Sequence, residues 1–416
     1  MENLNASLKG RITTAKVEMG DNRYRSNGAM AVFYSVAKLH TSIGFITYKD
    51  IRWAVSCQPI GQSKYLYISE NSLSIEKFPI RPLPYHFDAL MLIWILIFHL
   101  CSLIKGQTSR SGPIGPLTDD FQNWLVANGY ETSNFDRPDI GPSGSFGGKK
   151  TRDQKILREP VIFVHGNADA ALYIQPPLAT GWSRSIQYFL EQNYTSAELY
   201  ATTWGDTWSG GSILTTYSTM HTCSNLIYLR KFLTAVLDYT GAPKVDIIAH
   251  SLAVPLMRKV LKGGSLIATD GNCVLGKPLG HRVDTFLGIS GANYGLCVCQ
   301  LAQTIPAWCN ALDGLYPGYT CEDQLICAYP DSECKQKNYS AFLENLNNDP
   351  NREADHVYAM WSDVDEVLLF RGMTWGKSTS RIPGMNGRWV SDRNGHIAMK
   401  DLTELRQYEA VVHHSI

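Results

Sequence analysis

VDIIAHSLAVPLMRKVLKGG, residues Val245 to Gly264, is the stretch that decides how the chain folds. It opens with the β-branched run Val245, Ile247 and Ile248, short enough for a buried strand and preceded by the turn signal Gly241 to Pro243. Ala249-His250-Ser251-Leu252-Ala253 then leaves no room for a loop before Val254 to Leu261, which reads as a helix. Pro255 fits the first helical turn, where a missing N–H costs nothing, and Gly263-Gly264 supplies a left-handed stop. A strand that turns through one residue into a helix pushes that side chain out of the sheet, while the helix N-terminus faces any negative charge that develops there. Ser251 is therefore a candidate nucleophile, with alanines, Ala249 and Ala253, at the two positions such an elbow crowds. Taken alone, the five residues fit an inert serine at a buried strand–helix junction equally well.

The surrounding chain repeats the same alternation. Pro160 to Val164 is a second buried strand, running into His165-Gly166-Asn167, with His165 read as a packing residue. Trp182 to Gln192 is an amphipathic helix, Ala197 to Thr203 a strand ending at Trp204, read as a core residue in preference to the lining of an acyl pocket, and Thr222 to Tyr239 a long helix closed by Gly241. Beyond the elbow, Val283 to Ile289 and His356 to Trp361 are further strands, and Ser391 to Leu402 places His396 on a glycine-flanked loop before a last helix. Before all of these, Gly115 to Lys150 reads as a long surface loop with one short helix in FQNWLVANGY. Strand–helix alternation of this kind predicts an α/β fold: a mostly parallel sheet with helices on both faces.

The totals exclude some function classes. Lys plus Arg equals Asp plus Glu at 38 each, so there is no electrostatic footprint for nucleic acid. Ten cysteines, eight of them from Cys223 to Cys334 with no C-x-x-C pair, argue against zinc and for disulfides in an oxidising compartment. The six from Cys297 to Cys334 lie in a stretch with little helical period, read as a stapled insertion. The sequons at Asn5, Asn193 and Asn338 are compatible with that compartment and with a glycoprotein.

Residues 1–88 carry no motif to which chemistry can be attached and are read as an N-terminal extension. Residues 89–106 hold ALMLIWILIFHLCSLI, an uncharged apolar segment of secretory-signal length, with Met91 placed where an initiator would be natural. A cleaved signal, a signal anchor and a buried helix are the alternatives there. Residues 107–416 are expected to form the catalytic-type domain.

In chain order the candidates are Ser251, an acid at Asp363 or Asp365, and His396, each just past a predicted strand or on a loop. This is the order Ser, Asp, His of α/β-hydrolases. The segments EPVIFVHGNAD, ELYATTWGDT, VDIIAHSLAVPLMRKVLKGG, VYAMWSDVDEVL, TSRIPG and NGHIAMKDL together resemble the class 2 lipases, over roughly Pro160 to Leu402. The resemblance implies an α/β-hydrolase fold, carboxylic ester hydrolysis with an acyl-enzyme intermediate, no cofactor and no metal in the chemistry. It maps the nucleophile onto Ser251, the histidine onto His396 and the S-x-x-D of the acid loop onto Ser362 to Asp365, favouring Asp365 over Asp363. Ala253 departs from the family, whose elbow usually ends in glycine.

The expected enzyme is a secreted lipase or carboxylesterase. His396 would take the proton from Ser251, Asp365 would orient the imidazole, and backbone N–H groups of Asn167 and Leu252 would hold the oxyanion. Its partner is a lipid ester substrate with transient contact to a lipid interface, and neither nucleic acid nor a protein partner is implied. The alternatives are a lipid-binding or carrier protein on an inactive hydrolase fold, and a lipid acyltransferase.

Overall fold

The computed structural model describes residues 112–176, 179–207, 221–300, 307–318, 339–368, 372–374 and 377–416, together with three short strands nearer the N-terminus. The chain divides into two compact units, Met1–Thr108 and Ser109–Ile416. In the first unit, β1 (Tyr34–Val36), β2 (Arg52–Val55) and β3 (Leu66–Ile68) pair antiparallel, with Tyr34 opposite Ala54 and Trp53 opposite Ile68. The apolar segment at 89–104, the sequons at Asn5 and Asn338, and Cys321, Cys327 and Cys334 lie outside the described residues. Among the described residues no helix is long and apolar enough to cross a membrane.

The second unit begins with helix α1 (Asp119–Ala127), capped by the Thr118 side chain accepting from the Phe121 N–H, and the two-residue strand β4 (Ser145–Phe146). Strand β5 (Val161–Val164), helix α2 (Ser183–Glu191), strand β6 (Leu199–Thr202), helix α3 (Cys223–Thr240) and strand β7 (Val245–His250) follow. Helix α4 (Ala253–Lys262) leaves the end of β7 almost at once. Next come the hairpin β8 (Gly264–Ala268) and β9 (Gly271–Gly276), strand β10 (Val283–Ile289), helix α5 (Ala341–Asn348) and strand β11 (His356–Ser362). The small ribbon β12 (Met373–Thr374) and β13 (Lys377–Ser378), strand β14 (Gly387–Ser391) and helices α6 (His396–Asp401) and α7 (Glu404–His413) complete the chain.

The central sheet has the order β14-β11-β10-β7-β5-β6-β4, parallel throughout except for the antiparallel edge strand β4. Both faces are covered, which is why its strands read as continuous apolar runs rather than alternating ones. Along β5 the side chains still alternate by face. Ile162 and Val164 pack with Phe121, Phe232, Leu233 and Val260 from α1, α3 and α4, whereas Val161 and Phe163 pack with Trp182 just before α2, Ile186 and Phe189 of α2, and Met399 and Val411 of α6 and α7. Phe163 is enclosed, its ring meeting Phe189 edge-on at 5.6 Å, so truncating it to alanine would cost about 3–5 kcal/mol.

Between β5 and β7 the sheet order reverses direction: the chain moves one way from β5 to β6 and the other way from β7 to β10. Loops that leave neighbouring strands at such a point diverge to opposite faces and open a crevice at the carboxyl edge. The loop after β5, residues 165–169, and the turn after β7, at Ser251, are those two loops. Two disulfides reinforce the surroundings. Cys223–Cys273 ties the start of α3 to β9 across 50 residues, and Cys299–Cys309 closes a loop of 10; Cys297 is also disulfide-bonded.

Candidate active site

Ser251 is the apex expected of an elbow. Its φ is +57°, a left-handed conformation that costs a residue with a Cβ on the order of 1–3 kcal/mol, and it is held there by its N–H to the Ile289 carbonyl at 2.8 Å and its carbonyl accepting from Val254 at 3.0 Å. The close approach to the elbow comes from the loop after β5. A Cβ on Gly166 would stand 2.9 Å from Ser251 Cβ and 3.2 Å from His250 Nδ1, so glycine is required at that position. Ala253, by contrast, is the first residue of α4 and fully buried, and a helical backbone makes no demand for glycine.

His396 opens α6, and its backbone N–H, one of the unpaired donors of a helix start, gives a hydrogen bond to Glu366 Oε2 at 2.9 Å. Its ring is buried. Nε2 lies 2.9 Å from Ser251 Oγ, and Nδ1 lies 2.8 and 3.0 Å from the two oxygens of Asp365. A carboxylate can only accept, so Nδ1 carries the proton and Nε2 presents its lone pair to the serine hydroxyl. Asp365 sits just past β11, with Oδ1 also accepting from Leu368 and Val367 at 2.9 and 3.0 Å. Burial works to raise its pKa, but the charge and hydrogen bond of His396 and those two backbone donors hold it below the ordinary value. Asp363, the alternative acid, is exposed.

Asn167 follows Gly166 in the loop after β5, and Leu252 follows Ser251 at the head of α4, so both expected oxyanion donors stand at the crevice between β5 and β7. His165 packs as its sequence reading requires. Nδ1 donates to the Gly166 carbonyl at 2.7 Å, Nε2 accepts from the Trp204 N–H at 3.0 Å, and burial pushes its pKa down to about 3. The Trp204 indole N–H returns to the His165 carbonyl at 2.8 Å, confirming Trp204 as a core residue that braces this loop. His250 donates through Nε2 to the His396 carbonyl at 3.2 Å, and burial, followed by the charge of His396, keeps it neutral. A neutral neighbour leaves room for a positive charge on His396.

Three charged residues around the site carry no signal of the usual motif kind and were not anticipated: Glu366, Asp169 and Lys400. Lys400 is fully buried four residues after His396 on α6, and Asp169 is buried two residues after Asn167. The spacing of Lys400 from His396, one helical turn, places a charge on the buried face of a helix, and that is the signal that could have found it.

Among the described residues, two groups bring metal-ligating side chains together: Asp284, His356 and His414, and Glu159, Asp246 and Asp284. Each lies at the start of a parallel strand or next to one, at the sheet edge opposite Ser251. Lys244 already stands 3.7 Å from Asp284 there as a cation. A cavity of about 420 Å³ bounded by Tyr294, Lys377, Arg381 and Ile382 is lined by none of Ser251, Asp365 and His396.

The chain matches the family described as lipase (class 2) over residues 158–409. No curated protein matches it. Among solved structures it is similar to the mature form of Bacillus licheniformis lipase BlEst2, at 14% identity and a TM-score of 0.37, covering 64% of this chain and 97% of that one. It is similar to Paleococcus ferrophilus monoacylglycerol lipase at 13% identity and a TM-score of 0.35, covering 65% and 98%. It is also similar to Aspergillus fumigatus lipase B at 12% identity and a TM-score of 0.34, where it covers 58% of this chain and 49% of that one, about half its length. The sheet order, the parallel pairing and the family match agree: the fold is the α/β-hydrolase fold, and the chain belongs to the class 2 lipase family.

Proposed function

We propose that this protein hydrolyses carboxylic esters of lipids through an acyl-enzyme on Ser251. The observation that carries the reading is the unbroken hydrogen-bonded line from Asp365 through His396 to Ser251 Oγ. In acylation, His396 Nε2 takes the hydroxyl proton as Oγ attacks the ester carbonyl, and the carbonyl electron pair moves onto oxygen facing the backbone N–H groups of Asn167 and Leu252. The ester C–O bond then breaks, and His396 delivers the proton to the departing alcohol. In deacylation a water gives its proton to His396, attacks the acyl carbon and releases the fatty acid, returning the proton to Ser251. Asp365 stays ionised throughout, fixing the ring and stabilising the imidazolium.

The disulfides Cys223–Cys273 and Cys299–Cys309 support an oxidising, extracellular setting, with residues 89–106 acting as an export signal or as a membrane anchor. Exposed Asn193 supports a glycan on that surface. Labelling of the secreted protein with a fluorophosphonate, followed by peptide mapping and N-terminal sequencing, tests both halves. Expected are modification at Ser251 and a mature N-terminus shortly after residue 106; an unlabelled Ser251 in folded protein would remove the mechanism, and recovery of peptides from residues 1–88 in the medium would remove the cleaved signal.

A further inference from the structure

Lys400 and Asp169 form a buried ion pair between the two halves of the site. Lys400 has no exposed surface, and its Nζ stands 3.3 Å from Asp169 Oδ2, 2.8 Å from Asp401 Oδ1 and 2.8 Å from Thr180 Oγ1, with the Gly181 carbonyl and the Trp182 ring completing the enclosure. Burial lowers the affinity of its amine for a proton, but the charges of Asp169 and Asp401 outweigh that, so Lys400 is a cation. Asp169, equally enclosed, spends Oδ1 on the N–H groups of Ala170 at 2.9 Å and Gly181 at 2.7 Å.

The pair joins the loop after β5 to the helix that carries His396, in addition to the packing of Met399 against β5 and the bond of His250 Nε2 to the His396 carbonyl. Asp169 ends the loop that begins at Gly166 and carries Asn167, and Ala168 between them has φ +62°, a strained conformation that persists only where its flanks dictate it. Lys400 lies one turn beyond His396 on the same helix. An ion pair taken wholly out of water is a poor source of stability, because desolvating both charges offsets most of their attraction, and apolar residues of similar size commonly serve stability as well or better. What a multi-point ion pair does supply is a single geometry, with four oxygens and one ring fixing the Nζ position.

We propose that Lys400 and Asp169 are positioning residues that set the Asn167 oxyanion donor against the His396 base, so that the two act on one tetrahedral intermediate. This rests on the proposed function. Acylation needs the donor and the base correctly placed at the same moment, and a displacement of about 1 Å costs roughly a hundredfold in rate. Neither side chain touches substrate.

The test compares Asp169→Asn, Lys400→Met and the apolar pair Asp169→Leu with Lys400→Met, using Ser251→Ala as reference. Readouts are thermal midpoint, kcat and KM on a short-chain nitrophenyl ester, and affinity for an alkyl boronic acid, which forms a tetrahedral adduct with the serine. Expected for Asp169→Asn and Lys400→Met is a loss of kcat of about a hundredfold with KM little changed, and a parallel loss of boronate affinity. The apolar pair should regain thermal stability without regaining kcat. If kcat returns with stability in the apolar pair, or if Asp169→Asn lowers the thermal midpoint while leaving kcat and boronate affinity intact, the pair is a structural clamp and the inference is overturned. Activity surviving in Ser251→Ala would instead overturn the parent reading, so the two failures are distinct.

Discussion

Gly166 and Ser251 meet so closely that a methyl group on the glycine would lie 2.9 Å from the serine's own Cβ. Three of the atoms involved, Ser251 Cβ, His250 Nδ1 and the His250 carbonyl, belong to the elbow itself, so the added carbon cannot be absorbed by a surface side chain. Gly166→Ala should therefore displace the loop after β5 from the elbow. We expect a loss of kcat of about a hundredfold, together with a destabilisation of about 1–3 kcal/mol from overpacking. Ester turnover and a urea unfolding curve on the same variant check both, and a variant with native turnover would show that the loop yields without consequence.

Ser251 is also a store of strain. Glycine adopts its φ of +57° freely, so Ser251→Gly should abolish hydrolysis yet unfold at a higher temperature than the parent, by the equivalent of about 1 kcal/mol. Ser251→Ala, which keeps the Cβ, should lose the activity without that gain. A thermal midpoint for Ser251→Gly below that of Ser251→Ala would contradict the strain assignment.

Asp365→Asn should reduce kcat by on the order of 10⁴, because the amide can donate to Nδ1 and thereby favours the wrong tautomer of His396. Asp363→Asn, at an exposed position, should leave kcat within experimental scatter. Steady-state kinetics on the two variants decide the ranking, and the reverse order would reassign the acid.

Stability should fall as the solution is made acid, starting near the ordinary histidine range. Burial pushes the pKa values of His165 and His221 down to about 3 and about 4 and that of His250 well below its usual value. In the unfolded chain these groups bind protons near pH ~6.5, so below that pH the unfolded state holds more protons than the folded one. Their stabilisation is therefore complete above about pH 6.5 and drains away as pH drops towards their folded values, each histidine contributing on the order of 1.4 kcal/mol per pH unit. The lowered carboxyl of Asp365 acts in the same direction at lower pH. Asp246 opposes it, since burial raises its carboxyl and protonation there favours the folded state. Urea midpoints measured between about pH 7 and pH 4.5 should decline steadily; a flat profile would mean the three imidazoles are not held neutral.

Much of the site was legible because its chemistry coincides with its punctuation. The strands Val161–Val164, Val245–His250, Val283–Ile289 and His356–Ser362 are buried on both sides and so announce themselves as apolar runs, and each candidate side chain follows one directly or, for His396, follows a glycine. The hairpin Gly264–Ala268 and Gly271–Gly276 was missed despite the Asp270-Gly271 turn signal between its arms. Its exposed Ile267 and Val274 break the alternation expected of a half-buried strand, and Cys223–Cys273 fastens it to α3 beside the packing of Leu266, Ala268 and Leu275. Strand β14 was missed because it is a partly exposed edge carrying Arg388 and Trp389. The pairing of Lys400 with Asp169 was invisible for a different reason: a charge reads as surface in a sequence, and only the fold reveals that these two are buried against each other.

The contact between His396 and Ser251 spans 145 positions of chain, and that between His396 and Asp365 spans 31. On the proposed mechanism, the serine is therefore synthesised long before the groups that make it reactive. A nascent polypeptide halted between Ser251 and His396 would carry the serine with no base, and lipids that met it on the way out of the ribosome would meet an ordinary alcohol. Reactivity would arrive late in synthesis, and only once the helix bearing His396 had docked against the sheet.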